Sequence, residues 1–529
     1  MLKQRLLRLL ALLFAFTLVA AACGGSSDGD DDGEAEDTSA EGEQEGGGVD
    51  EDAADEAVAG ADEEEDSGDE EPMEEPGSIE ELEAAWEANR AEIVATIQDE
   101  GWGLGEDGVL TGPAGFTIDT NECPSDWSNT EGIADGTLTI GMTTALSGNL
   151  AAYGNINTGI ETYFNYVNEN GGIDGTNLAV DIKDDAYVAT QTIELVDELL
   201  QSVKPFAIQT LGSPNSLAVY DQLNDSCVPH PFTITGHPAW GDPVNHPWTT
   251  GHQMSYATEA ILWGAWIKNN MADQLPVTVA GLVMDNDFGL AYEEGMQTYA
   301  DENPDVVSEF TAVRHDPAAP TVTNEMTTIA GDSPDVFISM TAGNPCLLAV
   351  EEAARSGIKD SGAILFAPSV CKDPNAYMIP AADAGDGFLI VGGGEKAFTD
   401  PQYADDPYVS FANETMAAAG LDTSVGLYGT GFGRGWVWVE TLKIAAELDG
   451  GLTRTNFMLA QRAFSGTNPA LVSGIEFALN GNEDAFFVEG SDFSRYDAAA
   501  ESWVQEGNVV DLNGSSPPCE WAASGEAGC

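Results

Sequence analysis

Apolar positions along the chain come in two alternating kinds. Short apolar runs of strand length occur at 138–146, 178–184, 206–211 and 231–235, bounded by the turn-forming residues expected at strand ends. Between them, apolar residues recur at helical spacing over 158–170, 190–203 and 216–225. A second series follows, with strands at 277–284, 306–313, 336–340, 363–366 and 388–391 and helices at 259–270, 290–302, 322–329 and 347–356. Apolar strands in turn with helices predict parallel sheets covered on both faces. Two long helices, 431–448 and 455–464, come next, and 477–512 alternates without a helical period and reads as strands. The expected fold class is α/β, with two doubly wound parallel-sheet lobes to which the late elements return. In open sheets of this kind a ligand sits beyond the carboxyl ends of the strands. Two lobes can set those ends facing each other across a cleft.

The chain ahead of this alternation is different. Ser78 and Glu81 fit a capping box, and Ile79, Leu82, Trp86, Ile93 and Ile97 define one amphipathic helix ending near Gly101. Residues 102–132, rich in Gly, Pro and Asn, read as an irregular strap. Residues 24–77 hold small and polar residues among Asp and Glu. That composition cannot bury enough surface to offset ordering entropy, so disorder is expected. Like charges extend such a segment, and at full stretch it reaches roughly 180 Å, the dimension of a tether. At the start, Lys3, Arg5 and Arg8 precede an apolar run over 9–19, then Ala20, Ala21, Ala22 and Cys23. This is the layout of a secretory signal, too short to span a bilayer, which takes about 20 apolar residues. Its ending resembles a bacterial lipobox, in which Cys23 becomes the lipidated first residue.

Charge narrows the partners. Lys and Arg number 17 against 91 Asp and Glu, a net charge of −74. No basic patch exists, which excludes nucleic-acid binding. Residues 24–77 hold 25 of the acids, so 66 acids still face 14 bases in the remainder. A body so charged repels itself, salt screens the repulsion, and a saline habitat is the expectation. Cys123, Cys227, Cys346, Cys371, Cys519 and Cys529 follow Cys23. An even number in an exported chain favours disulfides, and six cysteines allow fifteen pairings.

Particular residues then match a family. Leu146-Ser147-Gly148, Tyr153-Gly154, Gly159, Asn168, Gly171-Gly172-Ile173 and Gly175, leading to Asp184-Asp185-Ala186, resemble the opening of the leucine/isoleucine/valine-binding proteins of bacterial ABC importers. Leu211-Gly212-Ser213, Phe288-Gly289 and Ala353-Ala354-Arg355-Ser356-Gly357 extend the likeness, which runs from about 138 to 512. The resemblance implies a type I periplasmic-binding-protein fold, two hinged lobes that close on a small solute and present it to a membrane permease. The expected protein is a monomer without cofactor or metal, held outside the cytoplasm by the lipid on Cys23 and touching membrane through that anchor alone. The implied divisions are a signal peptide (1–22), lipidated Cys and tether (23–77), helix and strap (78–132), lobe 1 (133–250 and 395–487), lobe 2 (251–394 and 488–513) and a tail (514–529).

The resemblance also implies a site. The family's amino-acid binders hold the ligand carboxylate by first-lobe hydroxyls and amides, which by position are Ser213, Thr235 and Gly236. Hydroxyls and oriented N–H groups can do this without a buried counter-charge. Tyr153 and Phe288 fall where the family places covering aromatics. A second-lobe glutamate that takes the ligand's ammonium is replaced here by Ser369, and the adjacent loop, with Asn344, is also uncharged. An ammonium taken from water needs a charge partner. An amide, a urea-like solute or a carboxylate therefore suits the cleft better than a free α-amino acid. Cys346 and Cys371, on neighbouring cleft-edge loops, are the expected disulfide.

Other signals weigh less. His230, His237, His246 and His252 crowd one region, but their spacing matches no compact metal site; His237 is retained as a ligand contact. Gly429, Gly431, Gly433 and Gly435 lack the strand and Lys-Ser or Lys-Thr pair of a phosphate loop and read as close helix packing. No Gly-x-Ser-x-Gly elbow or His-Glu-x-x-His helix occurs, so an enzyme is not expected. A sensory module of the same fold and, more remotely, a secreted hydrolase are the other readings.

Overall fold

The computed structural model describes residues 48–61, 76–521 and 527–528. The signal segment, Cys23, most of the acidic tether and Cys529 lie outside the described residues.

The first sheet is built on β1 (Thr137–Thr144), flanked in parallel by β2 (Asn177–Asp184) and β3 (Ala207–Thr210). A bridge from Leu211 to Ile234 carries the order on to β4 (His230–Thr233), which pairs in parallel with β5 (Thr249–Gly251). The helices α3 (Gly154–Glu169), α4 (Ala189–Glu198), α5 (Ser213–Leu217) and α6 (Tyr220–Asp225) connect these strands. Two further helices precede them, α1 (Glu51–Ala61) and α2 (Ile79–Glu100).

The chain crosses to a second lobe through α7 (Tyr256–Asn270). There β6 (Val277–Met284), β7 (Val307–His315), β8 (Val336–Met340), β9 (Ile364–Ala367) and β10 (Leu389–Val391) form a parallel sheet in the order β7-β6-β8-β9-β10. Helices α8 (Asp287–Glu302), α9 (Thr323–Asp332) and α10 (Asn344–Arg355) join them. After β10 the chain adds α11 (Pro407–Ala418), α12 (Gly426–Glu447) and α13 (Arg454–Arg462). It then closes the second sheet with β11 (Phe493–Asp497) against β10 and β12 (Ser502–Gln505) against β11, both antiparallel. β6 and β8 are buried along almost their whole length, which is why they read as unbroken apolar runs. The fold is the expected two-lobed α/β one.

The glycines of α12 serve packing. A Cβ on Gly431 would lie 1.9 Å from the Ile156 carbonyl oxygen, and one on Gly159 would lie 2.2 Å from that of Tyr428. The backbones of α3 and α12 are therefore nearly in contact, which sets the N-terminal half of α12 beside the cleft.

Three features differ from the sequence reading. Residues 51–61, placed in the disordered tether, form α1. Val49 just before it and its own Ala54 and Val58 are buried in the main core, Lys268 on α7 pairs with Asp55, and Asn303 Nδ2 donates to Glu51 at 2.6 Å. The strap contains a three-stranded antiparallel sheet (103–104, 109–111 and 117–119). It is fastened by the Cys123–Cys227 disulfide and by Trp127 Nε1 donating to the Cys227 carbonyl at 2.7 Å. Helix α11 was not expected. The α2 helix is amphipathic as read, with Trp86 edge-on to Trp436 at 5.3 Å and Arg90 paired with Glu440.

Candidate ligand-binding cleft

The carboxyl ends of both sheets face each other, and a cavity lies between them. From the first lobe it takes Leu150, Tyr153 and Ile156 at the start of α3, Tyr187 after β2, Leu211 and Gly212 after β3, and Ile234 after β4. The second lobe contributes Phe288 from the start of α8, Ala342 after β8, and Ser369, Val370, Lys372 and Asp373 after β9. The crossing segments supply Gln253, Met254, Gly392, Gly393 and residues 395–399, and α12 supplies Gly426, Leu427, Thr430 and Arg434. The wall is mostly apolar, with charge gathered toward the hinge.

The lobes touch across this cavity. The Tyr153 hydroxyl accepts from the Gly343 amide at 3.0 Å and donates to the Val370 carbonyl at 3.1 Å. Asn149 Nδ2 donates to the Pro317 carbonyl at 3.1 Å, and Asn375 Nδ2 to that of Ser424 at 2.8 Å. Asp373 accepts from the amide of Gly426 and thus caps α12 from the opposite lobe. This is a closed arrangement. Lys372 stitches the crossings together, donating to the Glu395 carbonyl and to Asp492, each at 2.7 Å.

The site residues expected from sequence divide into two groups. Tyr153, Phe288 and Ser369 line the cavity. Asn286 caps α8 by accepting from the amides of Phe288 and Gly289, which fixes the Phe288 ring edge-on to Tyr256 at 5.1 Å. Ser213, Thr235, Gly236, His237 and Asn344 are not among the lining residues. The hydroxyls of Ser213 and Thr235 bond each other at 2.7 Å. Gly212, which precedes Ser213 at φ +94°, lies against Tyr187, whose ring would be 2.2 Å from a Cβ there. His237 Nδ1 accepts from the Ala239 amide at 3.2 Å, and burial pushes its imidazole down to about 3. Asn344 is exposed at the start of α10. Cys346 is bonded to Cys371 beside the cleft, and Cys519 is also disulfide-bonded.

A carboxylate missed in the sequence stands behind Ser369. Glu259, fully buried on α7, accepts from the Ser369 amide and hydroxyl and from the Tyr292 hydroxyl, each at 2.7 Å. Burial pushes it up to about 7. Its oxygens are occupied, and Ser369 separates it from the cavity. Among the described residues no cluster of metal-ligating side chains occurs, and no helix is long and apolar enough to cross a membrane.

Two α/β lobes closed over a cavity at their strand ends define a solute-binding protein. The family model described as periplasmic binding protein matches residues 137–482, and the chain belongs to that family, of the leucine/isoleucine/valine-binding type. Solved structures agree on the fold. The fatty acid ABC transporter substrate-binding protein from Thermomonospora curvata is 18% identical, with 77% of this chain and 95% of that chain covered and a TM-score of 0.60. A branched-chain amino acid ABC transporter protein from Thermus thermophilus with bound valine is 17% identical, with 70% and 96% covered and a TM-score of 0.61. A solute binding protein of an ABC transporter from R. palustris in complex with 4-hydroxybenzoate is 17% identical, with 72% and 98% covered and a TM-score of 0.59. No curated protein matches the chain.

Proposed function

We propose that this chain is an extracytoplasmic lipoprotein, anchored through Cys23, that captures a small solute by lobe closure and delivers it to the permease of an ABC importer. The observation that carries this reading is the interlobe cavity, walled by both lobes and bridged by Tyr153. A ligand that touches both walls stabilises the closed form by its differential contacts. Membership of a family of binding proteins supports capture rather than turnover. So does the wall, whose described residues include no histidine.

The solute has an apolar body. Leu150, Ile156, Ile234, Met254, Phe288 and Leu427 line the cavity, so of the small polar solutes suggested by the sequence a urea-like one fits it less well. A thermal-shift screen with calorimetry tests the function, using amino acids, amides, ureas, polyamines and carboxylates. A ligand at 100 times its dissociation constant adds about 2.7 kcal/mol of stability. Steady turnover of an amide or ester, with no compound merely bound, would overturn the reading.

A further inference from the structure

The cavity floor near the hinge is unusually basic for this chain. Only 17 of 529 residues are Lys or Arg, yet Lys372, Lys396 and Arg434 all line this one cavity. Two of the three are well supplied with acceptors. Lys372 Nζ has Asp492 and the carbonyls of Gly392 and Glu395. Lys396 Nζ has Asp406 at 2.7 Å and the Pro469 carbonyl at 3.1 Å.

Arg434 is different. Its side chain is only 5% exposed. Nη2 donates to Gln253 Oε1 at 3.0 Å and to Glu395 Oε1 at 2.9 Å, while Nε and Nη1 have no hydrogen-bond partner. A guanidinium carries five N–H donors, and buried donors left unmatched are costly. Arg434 is the one cavity-lining residue, among those described, with buried side-chain polar atoms that lack a partner.

The lining carboxylates are engaged, save that Glu395 Oε2, on a side chain 26% exposed, takes no hydrogen bond from the described residues. Glu395 Oε1 is taken by Arg434, and Asp373 accepts from Thr399, Asn375 and Gly426. What the cavity lacks is an acceptor, and guanidinium pairs most strongly with carboxylate. The first-lobe hydroxyls that would otherwise hold one, Ser213 and Thr235, bond each other and do not line the cavity.

We propose that the cleft takes an amphipathic monocarboxylate, with Arg434 holding the carboxylate at the hinge end and the apolar wall covering its body. This rests on the reading of the cleft as the solute site. A neutral amide of the same shape offers one acceptor oxygen and no charge, and an α-amino acid adds an ammonium whose desolvation only the partly exposed Glu395 would offset.

Calorimetry on the intact folded chain tests this with matched pairs, 4-methylpentanoate against 4-methylpentanamide and phenylacetate against phenylacetamide, with leucine as the ammonium-bearing member. The acids should bind about 10- to 100-fold more tightly than their amides, the discrimination expected of charged hydrogen bonds. Arg434→Gln should abolish that preference by weakening the acids alone, and Arg434→Lys should keep part of it. Equal binding of acids and amides, tighter binding of leucine than of 4-methylpentanoate, or an Arg434→Gln protein that binds the acids unchanged would overturn the proposal and leave solute capture standing. The comparison of pairs on the unmutated protein needs no variant to fold. If no solute of any class binds, the reading of the cleft itself fails.

Discussion

Replacing Tyr153 by Phe removes one oxygen atom from the seam between the lobes and leaves the ring in place. In the closed form that oxygen makes two hydrogen bonds to second-lobe backbone, with the Gly343 amide and the Val370 carbonyl. A neutral hydrogen bond contributes about 0.5–1.5 kcal/mol net, so the pair is worth about 1–3 kcal/mol to closure. When the lobes part, all three groups meet water and the deletion costs little. Tyr153→Phe should therefore weaken solute affinity about 5- to 150-fold, while the melting point of the unliganded protein stays nearly constant. Calorimetry with the best-bound solute, paired with unliganded thermal denaturation, measures both. An unchanged affinity would refute the reasoning, and so would a fall in unliganded stability as large as the loss in binding. The first would mean that Tyr153 does not bridge the lobes in the bound state, and the second that the seam persists without solute.

Other outcomes follow from the same structure. Burial raises Glu259 from 4.5 to about 7, so the folded state binds its proton more tightly than the unfolded chain does. The stability this contributes is full below pH 4.5 and is lost as pH rises through 7. Urea midpoints across pH 4–8 should fall less steeply in Glu259→Gln than in the parent, and parallel curves would contradict this. Gly431→Ala places a methyl 1.9 Å from a backbone oxygen of α3 and should cost at least about 2 kcal/mol in urea unfolding; a loss below about 0.5 kcal/mol would show that the helices separate freely. Ala54→Asp should release α1 from α7 and raise amide exchange over residues 49–61 without altering solute affinity. With 91 acids against 17 bases, the melting point should climb from low to high salt as repulsion is screened, and a flat response would argue against a saline habitat.

The lobes were legible because parallel strands buried on two faces must be apolar throughout, and helices between them must show one apolar side. Val277–Met284 and Val336–Met340 illustrate this, since few other structures suit such runs. Helix α11 was not legible. Its Pro407 start and mixed sequence carry a weak period, and only the packing of Tyr408 and Ala412 reveals its buried side. The contribution of α1 was hidden for a related reason, because Val49, Ala54 and Val58 are too few to read as a stripe among acids. At the cleft, Tyr153, Phe288 and Ser369 follow strand ends or open helices and could be placed by order alone. Glu259 could not, because it meets Ser369 across 110 positions of sequence. Tyr187 was missed as well, since its place over Gly212 depends on a left-handed backbone turn at φ +61°.

The claim that matters most is that solute draws the lobes together over the cavity. Spin labels at exposed Asp174 in the first lobe and exposed Glu309 in the second, read by pulsed dipolar spectroscopy, measure it directly. Saturating solute should convert a broad, longer distance distribution into one narrow, shorter peak. A distribution that stays the same while calorimetry shows the solute fully bound would contradict the account.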